Sequence, residues 1–252
     1  MESYEDIPTL VPGPGVESAL FDELYTGCEC DGALCDPSCI CLGYTKAERN
    51  YDANGRLINV EIGSIIECSN TCECALLPKP CGNRVVQGGT QVKLKLSEFP
   101  EKGHGVVADE IIEANSFVCE YAGELISPEE VERRALESKS SLHNYVFTIK
   151  EHLESGTVCS FIDARHRANI ARFINHGCNP NLIPCIVRFN SEAPHMGLFA
   201  RRQIDKGEEL CYDYGSATNG EDCVDSSLKR KACHCGADNC RGYLPMTETA
   251  IT

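Results

Sequence analysis

The feature that most constrains this chain is the clustering of its 18 cysteines among 252 residues. Two dense blocks, CECDGALCDPSCIC and CSNTCECALLPKPC, lie in the first third, and CHCGADNC lies near the C-terminus. The opening MESYEDIPTL is acidic, and no apolar run approaches the roughly 18 residues of a membrane span. Clustered thiols in such a chain are more typical of metal ligands than of disulfides. We therefore expect a soluble intracellular protein that contains zinc, with disulfides as the less favoured alternative.

The first two blocks together supply nine thiolates, whereas two tetrahedral zinc ions would use eight. Three zinc ions need twelve ligand positions, which nine sulfurs supply if six bind one ion each and three bridge two. Cys-x-Cys pairs favour bridging because closely spaced sulfurs can serve adjacent metals. The predicted ligands of a three-zinc cluster are Cys28, Cys30, Cys35, Cys39, Cys41, Cys68, Cys72, Cys74 and Cys81. Two separate four-cysteine sites with one bystander thiol remain the alternative.

The C-terminal block supplies three further ligands and needs a fourth. The predicted fourth zinc site consists of Cys233, Cys235 and Cys240 from CHCGADNC, with Cys178 from NHGCNPN. The remaining cysteines are Cys119, Cys159, Cys185, Cys211 and Cys223. The first four lie in apolar or strand-like runs, where a free cysteine behaves as a small hydrophobe, and Cys223 has no assigned role.

The texture of the chain predicts five segments. These are an extended acidic arm (1–27), a cysteine-rich module (28–90), a β-rich domain (91–215), a polar loop (216–232) and a C-terminal cysteine module (233–252). Short strands are predicted at QVKLKL, FVCEYAG, NYVFTI, IPCIVRF and MGLFA. One helix is predicted in SPEEVERRALESKS, with Ser127 as its cap, Pro128 at its first position and Glu130 completing a capping box. The predicted fold class is mainly β, with few helices.

The formal net charge is −15 with the thiols counted as neutral. Such a surface repels duplex phosphate, so direct sequence-specific DNA binding is not expected. The same charge would attract a partner rich in lysine and arginine. Solubility alone is the competing explanation of an acidic surface, so the charge supports a basic substrate only weakly.

A series of motifs occurs in a characteristic order: KGHGVVA, CEYAGEL, NYVF, ARFINHGCNPN, ELCYDYG and CHCGADNC. In that order they resemble the SET-domain histone-lysine N-methyltransferases that carry pre-SET and post-SET zinc modules. Within the family, their spacing most resembles the SETMAR type, here without a transposase part. The resemblance implies small curved β-sheets around a pseudoknot, formed where ELCYDYG passes beside RFINHGC.

The resemblance also assigns residues to an active site. The implied site for the methyl donor S-adenosyl-L-methionine consists of Lys102, Gly103, His104, Tyr145, Arg172, Phe173, Asn175 and His176. Tyr121 and Tyr214 would orient the substrate amine and the methyl group, while Phe147 and Tyr212 would line the lysine channel. The chain departs from the family where His104 replaces a common tryptophan and where Pro245 follows CRGYL. In consequence, Tyr243 or Leu244 would have to cover the donor.

The resemblance implies methylation of a histone-tail lysine, most directly in histone H3, by a monomer acting on nucleosomes in the nucleus, at the chromosome. Tyr212 occupies the family's tyrosine-or-phenylalanine switch position, which favours mono- and dimethyl products. No membrane partner is expected. Two alternatives stay open: a lysine methyltransferase with a non-histone substrate, and a catalytically silent zinc-binding chromatin scaffold.

Overall fold

The computed structural model describes residues 3–22, 26–32, 35, 37–43, 48–60, 62–79, 81–137, 145–153, 156–215 and 231–245. Most of the predicted polar loop, with Cys223, lies outside these ranges. The strands are β1 (Glu5–Asp6), β2 (Val11–Pro12), β3 (Ser64–Ile66), β4 (Leu94–Phe99), β5 (Gly103–Ala108), β6 (Phe117–Glu120), β7 (Glu124–Ile126), β8 (Val146–Leu153), β9 (Gly156–Asp163), β10 (Arg167–Ala168), β11 (Asn175–His176), β12 (Leu182–Arg188), β13 (His195–Ala200) and β14 (Cys211–Tyr212). The helices are α1 (Ile40–Gly43) and α2 (Pro128–Glu137), and 3-10 turns cover Ser18–Phe21, Glu73–Ala75, Val86–Gly88 and Ile170–Phe173. The predicted mainly β class is confirmed.

The strands form several small sheets that share one core. One sheet has the strand order β3-β12-β13-β6, and another has the order β2-β7-β9-β8. Strands β4 and β5 pair antiparallel, whereas β1-β10 and β11-β14 are parallel pairs. Strands β6 and β13 are buried at every residue. Because side chains alternate between the faces of a strand, their sheet packs on the main core with one face and on a second apolar cluster, which includes Phe117 and Phe199, with the other. The core includes Val106, Val118, Ile162 and Leu198, all fully buried.

Two sequence predictions about strands differ in detail from the structure. The strand predicted at QVKLKL is present, but β4 begins at Leu94 and not at the start of that run. The amide of Lys93 is bonded to the Glu110 carboxylate at 3.1 Å. The sequence predicts that Cys159 behaves as a small hydrophobe in a strand-like run; it does lie on a strand, but it is exposed. It lies on the outer half of β9, which extends with β8 beyond the core.

The two most specific motifs meet at the centre of the fold. Strands β11 and β14 pair in parallel, with Asn175 opposite Cys211 and His176 opposite Tyr212. The amide of Gly177 donates to the carbonyl of Tyr212 at 3.1 Å. A Cβ at Gly177 would lie 2.5 Å from the Cys211 sulfur, so only glycine permits this approach. The pairing places RFINHGC beside ELCYDYG, as the resemblance implied.

Helix α2 begins where the sequence predicts, at Pro128. The Ser127 hydroxyl oxygen accepts from the amide of Glu130 at 3.2 Å. A capping box also requires the Ser127 amide to donate to the Glu130 side chain. This part of the prediction is wrong, because that amide donates to the carbonyl of Pro14 at 3.2 Å. Glu130 instead pairs with Arg134 at 2.5 Å. At 10 residues α2 is the longest helix of the described ranges, none of which contains a helix long and apolar enough to cross a membrane.

The segment before the cysteine blocks adds outer strands to two sheets. Strand β1 pairs with β10 and β2 pairs with β7. Leu10 is buried in the main core, and its amide donates to the buried Glu120 carboxylate at 2.9 Å. The hydroxyl of Thr9 donates to the same carboxylate at 2.8 Å. The arm is therefore fixed to the β-rich domain by main-chain pairing, burial and charge-assisted hydrogen bonds.

Candidate active site

Four aromatic side chains from distant parts of the chain meet in one cluster. Tyr121 follows β6, Phe147 lies on β8, Tyr212 lies on β14, and Tyr214 follows it. The ring centroids of Tyr121 and Phe147 are 5.3 Å apart, those of Phe147 and Tyr212 are 5.6 Å apart, and those of Tyr212 and Tyr214 are 4.8 Å apart. Tyr121, Phe147 and Tyr212 are buried. The tertiary structure thus brings together the residues that the resemblance assigns to the channel and the chemistry.

Two of the tyrosine hydroxyls in this cluster are fixed to the main chain. Tyr121 donates to the carbonyl of Tyr145 at 3.0 Å, and Tyr214 donates to the carbonyl of Ile174 at 2.8 Å. A phenolic oxygen that donates its hydrogen still offers lone pairs to another donor. The hydroxyl of Tyr212 makes no hydrogen bond to any other described residue. Two oriented acceptors and one uncommitted hydroxyl therefore line the cluster.

Burial sets the protonation state of these tyrosines. It raises the pKa of Tyr121 and of Tyr212 well above the usual value of 10 and also raises the pKa of Tyr214. Desolvation penalises the phenolate, which is the charged form. The hydroxyls therefore stay neutral at physiological pH. They can orient an amine, but they are unsuited to removing a proton from it.

A polar network fixes the backbone at the start of β5 to the central knot. The Glu209 carboxylate forms an ion pair with Lys102 and accepts from Nδ2 of Asn175 at 3.0 Å. The same Nδ2 donates to the carbonyl of His104 at 3.1 Å. Gly103 has a φ of 75°, a conformation that glycine adopts at little cost. Lys102, Gly103, His104 and Asn175 are thereby held together.

Arg172 lies among aromatic rings beside this network. Its guanidinium carbon is 4.3 Å from the ring centroid of Tyr145, 4.5 Å from that of Tyr4 and 5.2 Å from that of Phe173. The His104 ring meets Phe173 edge to face, with the centroids 5.8 Å apart. Within the described ranges, the buried Nε of Arg172 and Nδ1 of His104 have no hydrogen-bond partner. Unpaired buried polar atoms are costly, so their presence around one ring fits a site for a polar ligand.

His176 joins the aromatic cluster to the C-terminal module. Its Nδ1 accepts from the amide of Tyr214 at 3.2 Å, and its Nε2 lies 3.3 Å from the Cys178 sulfur. Burial lowers the pKa of His176 below 6.5 and outweighs the opposite influence of Asp213. A neutral ring is needed for Nδ1 to accept, which places the proton on Nε2. Arg241 lies 3.4 Å from that nitrogen.

The nine N-terminal cysteines gather in one cluster. The sulfurs of Cys28 and Cys74 are 3.7 Å apart, as are those of Cys41 and Cys72. Sulfurs bound to one zinc at about 2.3 Å lie about 3.8 Å from one another in tetrahedral geometry. Sets of four with mutual sulfur distances within 4.8 Å are Cys28-Cys30-Cys35-Cys39, Cys28-Cys41-Cys68-Cys72 and Cys28-Cys35-Cys68-Cys74. The sulfur of Cys81 lies 3.3 Å from that of Cys74. The cluster could therefore bind zinc.

The second cysteine group links the tail to the knot. Its four sulfurs, from Cys178, Cys233, Cys235 and Cys240, lie within 4.8 Å of one another. The amide of Arg241 donates to the Cys178 sulfur at 3.4 Å, and its guanidinium pairs with Asp213 at 2.6 Å. The four cysteines predicted to form the fourth site are thus brought together and could also bind zinc.

The last described residues lie against the end of ELCYDYG. Pro245 packs on Gly215, where an added Cβ would meet the proline at 3.3 Å. Tyr243 is 52% exposed, and Leu244 is held by a bond from its amide to the carbonyl of Lys231 at 2.9 Å. Pro245 therefore contacts the end of this segment, while about half of the Tyr243 surface is exposed.

Sequence reasoning missed four residues of the site. Glu209 and Asp213 lie within ELCYDYG, and Arg241 directly follows Cys240, so motif membership was an available signal. Tyr4 lies in the arm, and nothing in its sequence surroundings connects it with Arg172. Only the pairing of β1 with β10 places it there.

Comparison with known proteins agrees with this geometry. The SET domain family model matches residues 103–215, and the Pre-SET motif model matches residues 7–84. The chain is 44% identical over 250 residues to the probable histone-lysine N-methyltransferase set-23 of Caenorhabditis briggsae, covering 99% of each chain. It is 37% identical over 257 residues to mouse histone-lysine N-methyltransferase SETMAR, covering 96% of this chain and 81% of that protein.

Solved structures give the same result. The methyltransferase domain of human SETMAR superposes with a TM-score of 0.83 at 35% identity, over 97% of this chain and 90% of that one. Arabidopsis thaliana SUVH6 in complex with SAM superposes with a TM-score of 0.80 at 28% identity, over 97% of this chain and 51% of that one. KRYPTONITE in complex with mCHH DNA, H3(1-15) peptide and SAH superposes with a TM-score of 0.75 at 33% identity, over 96% of this chain and 48% of that one. The chain belongs to the SET-domain histone-lysine methyltransferase family.

Proposed function

We propose that this protein transfers methyl groups from S-adenosyl-L-methionine to the ε-amine of a lysine in a histone tail, most directly histone H3, giving mono- and dimethyl-lysine. One observation carries the proposal. The aromatic cluster holds two hydroxyls in fixed orientation, through the bonds from Tyr121 and Tyr214 to main-chain carbonyls. On this proposal, residues 28–90 form the pre-SET module, 91–215 the catalytic domain and 233–252 the post-SET module.

The cluster would prepare and align the amine. A free lysine has a pKa of about 10.4, so most of it is charged and unreactive at neutral pH. The buried rings of Phe147 and Tyr212 would exclude water and so favour the neutral amine. The hydroxyl oxygens of Tyr121 and Tyr214 would accept its N–H hydrogens and direct the nitrogen lone pair along the line of attack. When bound, S-adenosylmethionine supplies a methyl group activated by a sulfonium.

The donor would bind beside Phe173. The unpaired Nε of Arg172 and Nδ1 of His104 offer polar contacts there. The backbone at Lys102 and Gly103, held through Asn175, would approach it closely. Tyr145 would complete the site, because it contacts both Arg172 and Tyr121. His176 would lie at its edge, since it follows Asn175 in the chain and accepts from the Tyr214 amide. The complexes of SUVH6 with SAM and of KRYPTONITE with SAH support this class of ligand.

Charge and comparison support a histone tail as the substrate. The net charge of −15 complements a basic peptide. KRYPTONITE, a structural relative, is known in complex with an H3(1-15) peptide. We accordingly propose that the protein acts as a monomer on nucleosomes in the nucleus, at the chromosome, without direct sequence-specific DNA binding.

We further propose that the two cysteine clusters hold three zinc ions and one zinc ion. Cys28 belongs to all three four-sulfur sets, and Cys35 and Cys68 belong to two each, as thiolates shared between ions would. Cys81 lies in none of these sets, but its sulfur is 3.3 Å from that of Cys74. Two separate four-cysteine sites would share none. The metals would supply folding energy to a segment with few large apolar residues.

The decisive experiment incubates the protein with labelled S-adenosylmethionine and a histone peptide array. Label on a lysine of an H3 peptide is the expected result, with Tyr214→Phe inactive and the exposed Tyr243→Phe active as the matched control. A parallel reaction contains a nuclear extract in place of the array, and label on non-histone proteins there with none on the histone peptides would favour the non-histone substrate. Binding of S-adenosylhomocysteine without any transfer would favour the silent scaffold.

A further inference from the structure

We propose that Tyr4, in the N-terminal arm, is a positioning residue of the donor site that acts through Arg172. The inference rests on the proposed function, because it assigns Arg172 to donor binding. The ring contacts of Tyr4 among the described residues are with Phe173 and Arg172, and none joins it to a ring of the aromatic cluster that would hold the amine. Its effect is therefore expected on donor affinity, and only weakly on the chemical step.

The geometry places the arginine between two rings. The Arg172 guanidinium carbon lies 4.5 Å from the Tyr4 centroid and 4.3 Å from the Tyr145 centroid. The Tyr4 ring also meets Phe173 edge to face, with the centroids 5.9 Å apart. Two aromatic faces attract the cation and restrict its rotation. They thereby fix the direction of Nε, which is buried without a hydrogen-bond partner among the described residues and so can donate to a polar ligand.

The backbone of the arm next to Tyr4 is held in place by hydrogen bonds, as a positioning role requires. Next to Tyr4, the amide of Glu5 donates to the carbonyl of His166 at 2.8 Å, and the amide of Ile7 donates to the carbonyl of Ala168 at 2.9 Å. Glu5 also pairs with Arg167 at 3.2 Å. These bonds fix the backbone beside Tyr4 and so hold its ring against the Arg172 guanidinium. Donor binding and ordering of the arm should be coupled, and such coupling is reciprocal.

A purely structural role for Tyr4 makes a different prediction. If the ring only anchors the arm, any change that loosens the arm should weaken donor binding equally. Glu5→Gln is the matched control, because it removes the exposed pair with Arg167 without touching Arg172. Tyr4→Phe is the rescue variant, since phenylalanine keeps an aromatic face.

The test measures S-adenosylhomocysteine affinity by calorimetry on the zinc-loaded protein. We expect Tyr4→Leu to weaken binding roughly fivefold, equivalent to about 1 kcal/mol, with Tyr4→Phe and Glu5→Gln near native. Hydrogen exchange at the amides of Glu5 and Ile7 should slow when S-adenosylhomocysteine is added to the native protein, and less so in Tyr4→Leu. Unchanged affinity in Tyr4→Leu, or an equal loss in Glu5→Gln, would overturn the inference.

Failure of the proposed function would look different. If the native protein binds no S-adenosylhomocysteine, the donor assignment itself is wrong, and with it the role of Tyr4. If the native protein binds it and Tyr4→Leu binds it equally well, only the role of Tyr4 is wrong.

Discussion

The ring centroids of Tyr212 and Tyr214 lie 4.8 Å apart, and only the hydroxyl of Tyr214 is bonded to another described residue. The uncommitted Tyr212 hydroxyl can bond the substrate amine or hold a water beside it. Either arrangement occupies space that a dimethylated amine needs in order to turn into attack geometry. We therefore predict mono- and dimethylation by the native protein and a shift toward trimethylation in Tyr212→Phe.

Loss of a single hydroxyl is enough to change the ratio of dimethyl to trimethyl product. A hydrogen bond contributes about 1 kcal/mol, and about 1.4 kcal/mol changes a rate tenfold. Mass spectrometry of a reaction run to saturation measures the product ratio. Abundant trimethyl-lysine from the native protein, or an unaltered ratio in the variant, would contradict this role for Tyr212.

Asn175→Ala and His176→Ala should both weaken donor binding, with different effects on turnover. Asn175 holds the His104 carbonyl and Glu209, so its loss should raise KM for the donor and leave kcat largely unchanged. His176 also accepts from the Tyr214 amide, so its loss should lower kcat as well. Steady-state kinetics with S-adenosylhomocysteine calorimetry checks this difference. Unchanged donor affinity in both variants would refute the proposed pocket.

Metal analysis should find four zinc ions per chain. Three belong to the nine-cysteine cluster and one to the site that includes Cys178. A strong chelator should unfold the N-terminal module, because the metal supplies much of its folding energy. Two or fewer zinc ions in fully active protein would rule out this assignment.

Cys178→Ser should impair catalysis more than folding. Cys178 joins the tail to the knot, and its sulfur accepts from the Arg241 amide. Removing it would release the segment that contacts Gly215, while the core sheets keep their packing. We expect methyl transfer to fall at least tenfold with little change in Tm. Cys211→Ser, outside both predicted metal sites, is the matched control. A variant that unfolds instead would show that the tail stabilises the whole domain.

Asp163→Ala should destabilise the fold by roughly 3 kcal/mol, because the part-buried Arg165 loses the carboxylate it pairs with and the buried Arg134 keeps only Glu124 and Glu130 of its three. The Asp163 carboxylate is fully buried and pairs with Arg134 at 2.9 Å and Arg165 at 2.6 Å. Burial alone would raise its pKa, but the hydrogen bonds from Arg165 and Arg134 outweigh burial and lower it. Its contribution is therefore present above about pH 4 and is lost as pH falls through the lowered pKa.

The free energy of urea unfolding, measured between pH 2 and pH 7, tests the predicted contribution of Asp163. The native protein should lose stability on acidification more steeply than Asp163→Asn, which has no carboxylate to titrate. The control is Glu137→Gln, whose exposed pair with Arg133 should contribute under about 1 kcal/mol. Parallel acid profiles for the native protein and Asp163→Asn would contradict the assignment.

The sequence by itself determined the parts of this protein that depend on local pattern. Helix α2 begins at Pro128 because the capping serine and the proline are adjacent in the chain. Within each cysteine block short spacings keep the sulfurs close, and Cys178 could be assigned because CHCGADNC lacked one ligand. The ordered motifs identified the family, and the family implied the knot.

Only the tertiary structure decided what depends on contacts between distant segments. Pro14, rather than Glu130, satisfies the Ser127 amide because the arm passes that point. Cys159 is exposed because β8 and β9 extend beyond the core. Tyr4 meets Arg172 because β1 pairs with β10. No periodicity or spacing encodes such contacts, since they are fixed by the sum of many weak packing and pairing interactions across the whole fold.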